Sequence, residues 1–187
     1  MTNIAIDTKS PYTVGTWKLD PTHARISFTV KHLMISKVRG SFDRFDVTVV
    51  TAENPHDSTI QAVIDIASVN TGQEARDNHL RSSDFFLAEK YPTMTFTSTS
   101  LASEGDDRFT LTGDLTLRGV TRPVTLAGEF GGVITDDYGM TRAGATATTT
   151  INRHDFGVSW NAPIEAGGVT LGDNVKIEID LEVILQK

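Results

Sequence analysis

Apolar and polar residues alternate along most of this chain with a period of two, the pattern of a sheet that buries one face. Ile26, Phe28 and Val30 share one face, while Arg25, Ser27 and Thr29 share the other. Val47 and Val49 continue the pattern, and after a turn at Asn54 and Pro55 it resumes as Ile60, Ala62, Ile64 and Ile66. Met94, Phe96 and Ser98 oppose Thr93, Thr95, Thr97 and Thr99. Further runs align Phe109, Leu111, Gly113, Leu115 and Leu117, then Val124, Leu126, Gly128 and Phe130, then Ala143, Ala145, Ala147 and Thr149. A last run extends from Val175 to Leu185. Turn residues separate the runs at Glu104–Asp107, at Gly119 after Arg118, and at Asp136–Gly139. Only Gln73–Leu80, with a second candidate at Ser82–Glu89, reads as helix, between Gly72 and Pro92.

The pattern predicts an all-β fold: an eight-stranded antiparallel up-and-down barrel with one or two short helices between strands. Closing such long strands into a barrel removes the edges they would otherwise expose. Residues 1–16 are expected to form an N-terminal extension and residues 17–187 a single barrel domain. An eight-stranded barrel is either just filled by its side chains or holds one ligand. Ala143, Ala145, Ala147, Gly113 and Gly128 on the apolar faces predict room opposite the larger residues. At about 3.3 Å per residue, tilted strands of about twelve residues would enclose a tunnel on the order of 30 Å long. The same small residues also fit a filled, tapering barrel, and the inner faces alone leave both arrangements open.

Composition narrows the function classes. With 187 residues, 39% hydrophobic and 22% charged, the chain suits one globular domain with a sizeable core. A net charge of −7 without a basic run argues against a nucleic-acid binder. The absence of cysteine removes disulfides, thiolate metal sites and thiol nucleophiles. The five histidines are dispersed, with no HExxH pair, and there is no G-x-S-x-G elbow, Walker loop or GxGxxG motif. No catalytic residue, metal or cofactor is therefore expected. The N-terminus lacks a basic region followed by an apolar one, and no stretch approaches the roughly 20 apolar residues of a membrane-spanning helix, so the expected location is the cytoplasm.

Charged residues concentrate in one excursion between strands, where Arg76, Asp77, His79 and Arg81 fall within six positions. Two guanidiniums at a barrel mouth can pair with a diphosphate, a carboxylate or a quinone oxygen. The plainer reading has Asp77 and His79 in local pairs and the arginines clamping this segment to the barrel. Arg153 and Asp155, two apart at a strand end, read as a structural ion pair, and Arg118 and Arg122 as solvated residues beside a tight turn. Trp17 and Trp160 are candidates for plugs or portal residues.

Four segments carry a resemblance to a known family: Trp17–His32 (WKLDPTHARISFTVKH), Thr71–Thr99, Gly113–Val124 (GDLTLRGVTRPV) and Ile151–Gly157 (INRHDFG). In order and content they resemble the YceI-like family of lipid-binding proteins, from about Trp17 to Val183. The resemblance implies a lipocalin-like barrel around an elongated apolar cavity that holds a long isoprenoid, such as a polyprenyl or quinone-type chain. The expected function is then binding, storage or transport of a long-chain amphiphilic lipid, without a chemical step. Its tail would lie among Phe28, Ile64, Phe96, Leu111, Leu115, Leu117, Leu126, Ala145 and Ile179. Its head group would lie near Arg76, Asp77, His79, Arg81 and Trp160. A homodimer and a transient membrane contact are further expectations, and a trimmed, exported form would be periplasmic. Two other readings stand beside this one: a barrel enzyme using His79 or His154 as general base, and a filled barrel serving as a stress-related interaction module.

Overall fold

A computed structural model describes residues 12–187, and in it the alternating runs form eleven strands, one α-helix and three short 3-10 turns. The strands are β1 (Gly15–Leu19), β2 (Arg25–His32), β3 (Ser36–Phe42), β4 (Phe45–Thr51), β5 (Thr59–Asp65), β6 (Val69–Asn70), β7 (Thr93–Gly105), β8 (Arg108–Leu117), β9 (Val120–Thr135), β10 (Thr141–Asn152) and β11 (Leu171–Leu185). Helix α1 spans Glu74–Arg81. The extension expected over residues 1–16 lies outside the described residues up to residue 11, and β1 begins at Gly15.

Eleven segments make eight long strands because the first three predicted runs are each broken once. β1 and β2 both pair with β11, through Leu19↔Val183 and Arg25↔Asp180. β3 and β4 continue one another beside them, and β5 and β6 beside those. Every long strand is antiparallel to its sequence neighbours, and the last closes on the first, so the barrel is complete.

Each break sits where a short polar side chain offers the backbone another partner. Asp20 accepts from the Thr22 backbone N–H at 2.9 Å and its hydroxyl at 2.6 Å, turning the chain out after β1. Asp65 caps the Ala67 N–H at 2.9 Å. Buried Ser68 then accepts from the Arg44 N–H at 3.0 Å and donates to the Asp65 carbonyl at 2.6 Å, so the breaks in two adjacent strands lock on one another. His23 falls inside the first break, so it and His32 are not on one continuous strand as the alternation suggested.

The Gln73 side chain caps α1 by accepting from the Ala75 N–H, and the acidic Glu74 and Asp77 suit the helix N-terminus. The second predicted helix, Ser82–Glu89, does not form. The chain instead folds back on itself, with Phe85 and Leu87 both donating to the Ser82 carbonyl and Leu87 at φ 50°. That path turns two consecutive phenylalanines toward the barrel, burying Phe85 and packing Phe86 against the core.

The topology places the 33–35 turn, the 71–92 segment, the 118–119 turn and the 153–170 loop at one end, called here the helix end. The turns at 52–58, 106–107 and 136–140 mark the far end. The densest packing lies at the helix end, where Phe156, Ile66 and Val69 are fully buried. Gly113 and Gly128 differ from expectation: they do not open the lumen, because the rings of Phe96 and Phe109 lie where their Cβ atoms would be, and Gly40 is covered by Phe28 in the same way. Each glycine seats an aromatic ring from the neighbouring strand.

Candidate functional site

Among the described residues, two cavities stand out within the barrel. The helix-end cavity, of about 280 Å³, is lined by Phe28 and Val30 of β2, Ile177 of β11, Phe86 beyond α1, and Arg153 and Trp160 of the 153–170 loop. The far cavity, of about 510 Å³, is lined by Trp17, Val49, Phe109, Phe130, Ala145 and Leu181, among others. The two linings share no residue. Along β11, Ile179 falls between Ile177 of one cavity and Leu181 of the other; Leu111 and Leu115 fall likewise between Phe109 and Leu117 on β8.

This geometry sorts the residues expected to touch a lipid tail. Phe28 and Leu117 line the helix-end cavity and Ala145 lines the far one. Ile64, Phe96, Leu111, Leu115, Leu126 and Ile179 line neither. Of these, Ile64, Leu111, Leu115 and Leu126 are buried in packed positions. The single tunnel expected from strand length is thus two chambers with a packed layer between them, because the rings seated on glycines let bulky neighbours close the middle. Trp17 and Trp160 stand at opposite ends, one in each chamber.

The mouth residues separate into structural and uncommitted groups. Buried Asp77 accepts from the Thr71 N–H at 2.9 Å and the Thr71 hydroxyl at 2.6 Å, tying α1 to the end of β6. Arg81 donates to the Ala67 and Val69 carbonyls and to the Asn78 side chain, clamping the helix onto the third long strand, and it lines neither cavity. Arg76 lines the helix-end cavity and donates through Nε and Nη2 to Thr71, which leaves Nη1 without a partner among the described residues. His79 lines it too, pairing through Nε2 with Asp84 at 2.8 Å and standing edge-on to Phe85 and Trp160, each with centroids 5.0 Å away. Both members of the His79–Asp84 pair are substantially exposed, as are His154 and its partner Asp173.

Sequence reasoning missed Arg153. No Arg153–Asp155 ion pair exists; the guanidinium points into the barrel, 4% exposed. Its Nε donates to the Gly172 carbonyl at 2.9 Å, and its Nη1 to the Val158 and Trp160 carbonyls at 2.8 Å each. Its Nη2 is buried with no hydrogen-bond partner. Burial pushes the Arg153 pKa down, with Asp173 opposing, yet an arginine remains charged. Strand alternation could not have found it, because β10 ends at Asn152 and Arg153 opens a 3-10 turn. Arg118 is half-buried rather than free in solvent: it donates to the Phe85 and Gly157 carbonyls and joins two segments of the helix end.

Farther along the first break, Asp20, His23 and Glu182 bring their ligand atoms within 4.8 Å of one another. Arg142 occupies the middle of this group, pairing with Asp20, Glu182 and Asp136. The Thr22 hydroxyl, then His23 and Arg142, hold the Asp20 carboxyl well below the usual carboxylate range. The hydrogen bond to Asp20 raises the His23 pKa.

Comparison with known proteins fits this architecture. The profile of the YceI-like domain matches residues 17–183. The chain belongs to the YceI-like family. UPF0312 protein SAS2572 of Staphylococcus aureus is 42% identical over 166 residues, 87% of this chain and 94% of that relative. The YceI protein of Campylobacter jejuni superposes with a TM-score of 0.72 at 32% identity, covering 95% of this chain and 99% of the other. A polyisoprenoid-binding domain from Saccharophagus degradans shares the fold at a TM-score of 0.71 and 19% identity, over 93% of this YceI-like chain and 100% of that domain.

Proposed function

We propose that this protein binds one long-chain amphiphilic lipid, a polyisoprenoid or isoprenoid quinone, and stores or carries it. The observation that carries this reading is a buried guanidinium whose Nη2 has no hydrogen-bond partner, in a chamber with a mostly apolar wall. A buried unpaired donor costs about 1–3 kcal/mol, and an acceptor oxygen that reaches it recovers that cost. The head group therefore sits at Arg153 Nη2, with Arg76 Nη1 at the rim as a second donor. The tail lies over Phe28, Leu80, Phe86 and Leu117, each buried methylene contributing about 0.8 kcal/mol. A longer tail reaches the far chamber by parting the layer of Ile64, Phe96, Leu111, Leu115, Leu126 and Ile179. The membership of a lipid-binding family and the polyisoprenoid-binding neighbour of the same fold support the choice of ligand. The reading includes no chemical step; His79, paired with Asp84, lines the helix-end chamber, while His154 and Asp173 line neither chamber.

The two tryptophans supply the test, because Trp160 reports the helix-end chamber and Trp17 the far one. Delipidated Trp17→Phe and Trp160→Phe proteins are titrated with short-tailed and long-tailed quinones while emission is followed. The expected result is quenching of Trp160 by both and of Trp17 by the long-tailed one alone, and a polyprenyl alcohol should compete at least tenfold better than a hydrocarbon of equal length. Absence of quenching in both variants overturns the reading.

A further inference from the structure

We infer that the helix end docks on an anionic lipid bilayer through the tip of the β2–β3 hairpin, holding the mouth of the helix-end chamber against the membrane. This rests on the lipid-binding reading above and assigns the surface through which cargo is exchanged. The tip is Leu33–Met34–Ile35, with Met34 56% and Ile35 87% exposed. Leu33 and Met34 have φ of 51° and 60°, and the Ile35 N–H donates to the His32 carbonyl, so the three-residue loop between paired His32 and Ser36 contains a turn with both central residues left-handed. Such turns favour Asn, Asp or Gly, whose side chains tolerate that backbone. In the two-residue hairpins Asp106-Asp107 and Arg118-Gly119 three of the four left-handed positions hold Asp or Gly, and Arg118 is the exception. Here the chain places two large apolar side chains in the strained positions and exposes the third. Strain retained at an exposed tip points to a role for the side chains themselves.

The tip is joined to the chamber. The Leu33 N–H donates to the Thr170 carbonyl, and Thr170, His32 and Leu171 line the helix-end cavity. Met34 approaches Gly168 of the loop that carries exposed Val169, so hairpin and loop form one apolar lip on the rim. Behind the lip, Lys31 and Lys37 face each other across the hairpin, and Arg39 follows on the same outer face. None of the three makes a close ion pair among the described residues, although Lys37 and Arg39 attract the Glu178 carboxylate of the adjacent strand at longer range. Glu165 is the one acidic side chain in the facing 161–170 loop. Apolar side chains backed by cations complement an anionic membrane surface, each cation adding attraction and the apolar tip entering the interface. The turns of the far end hold Asp106, Asp107, Asp136 and Asp137 together with Arg108 and Arg142, and its exposed Ile134 and Tyr138 have no comparable row of cations on the flanking strands. The local row of Lys31, Lys37 and Arg39 directs this hairpin toward an anionic surface in a chain whose net charge is −7.

The full-length protein is tested by co-sedimentation with vesicles of equal parts phosphatidylcholine and phosphatidylglycerol, and with pure phosphatidylcholine, at low salt. Binding to the mixed vesicles alone is expected, falling about fivefold for each of Lys31→Gln and Lys37→Gln and about tenfold for Ile35→Asp. The chain has no cysteine, so Ile35→Cys and Tyr138→Cys each carry one environment-sensitive dye. The dye at position 35 should shift to the blue on mixed vesicles and the dye at 138 should not. Variants are checked for unchanged thermal unfolding and for unchanged Trp160 quenching by a quinone added from detergent; loss of vesicle binding with quenching intact separates docking from cargo binding. Equal binding to both vesicle types, wild-type binding by Ile35→Asp, or a silent dye at position 35 overturns the inference. So does a dimer in sedimentation that Ile35→Asp dissociates while vesicle binding persists, since the lip would then be a self-interface.

Discussion

Gly128→Ala tests how the lumen is built. Gly128 on β9 is directly paired with Phe109 on β8, and the Phe109 ring lies flat where a Cβ would stand. The three atoms nearest that Cβ position all belong to the ring, so an alanine displaces Phe109 first. The space open to the ring is the far chamber of about 510 Å³, which Phe109 already lines. Overpacking costs about 1–3 kcal/mol, and replacing glycine recovers about 0.4–1 kcal/mol through the unfolded state where the backbone tolerates it. The net loss is about 1–2 kcal/mol, a fall in Tm of about 2–8 °C for a domain this size. Because Phe109 now fills part of the chamber, quenching of Trp17 by a long-tailed quinone should weaken while quenching of Trp160 is unchanged. Gly113→Ala should cost more stability, since the Thr97 carbonyl as well as Phe96 blocks its Cβ. The double variant Gly128→Ala/Phe109→Ala should be no less stable than Phe109→Ala alone, because the collision is gone. Calorimetry of delipidated protein reads these values. Unchanged stability and Trp17 quenching in Gly128→Ala, or strict additivity in the double variant, would refute the seating of rings on glycines.

Ala145→Leu places three further carbons in the far chamber beside Leu181 and Phe130, so it should raise stability by about 1 kcal/mol, where the same change in a packed core lowers it; the denaturant midpoint checks this, and Trp17 quenching should fall. Arg153→Lys keeps the charge but cannot span three carbonyls, so unfolding experiments should show a loss of about 3 kcal/mol, with weaker competition by polyprenyl alcohols. The pH dependence has two limbs of opposite sign. Asp20, with its pKa lowered, contributes stability that is present above about pH 4 and is lost as pH falls through its folded value. His23, with its pKa raised, contributes stability that is complete below about pH 6.5 and is lost as pH rises through the raised value. Thermal unfolding across pH should therefore lose its alkaline decline in His23→Gln and keep its acid decline, and an unchanged alkaline limb would count against the His23–Asp20 pair.

The long strands were legible because alternation survives wherever one face is buried, and even the broken runs kept their apolar parity. The breaks themselves were not, since Asp20, Asp65 and Ser68 redirect the backbone through single hydrogen bonds that a period-two pattern does not record. The inner glycines were read as space because composition gives the size of a residue and not what lies on it; only the pairing of β8 with β9 shows that Phe109 covers Gly128. Around α1, the local roles of Asp77 and the clamping role of Arg81 followed from their proximity to Thr71, Ala67 and Val69 in the chain. Arg153 escaped for the opposite reason. Its partners are carbonyls of Val158, Trp160 and Gly172, which have no side-chain signature, whereas Asp155 nearby offered an ion pair that the structure does not make.

The claim that the barrel encloses an amphiphilic guest is tested most directly by native mass spectrometry of the freshly purified chain, followed by solvent extraction. The account predicts one non-covalent guest per chain, released by organic solvent as a long apolar chain with an oxygen-bearing head. Protein that emerges bare, and stays bare after incubation with polyprenyl alcohols and isoprenoid quinones, would contradict it.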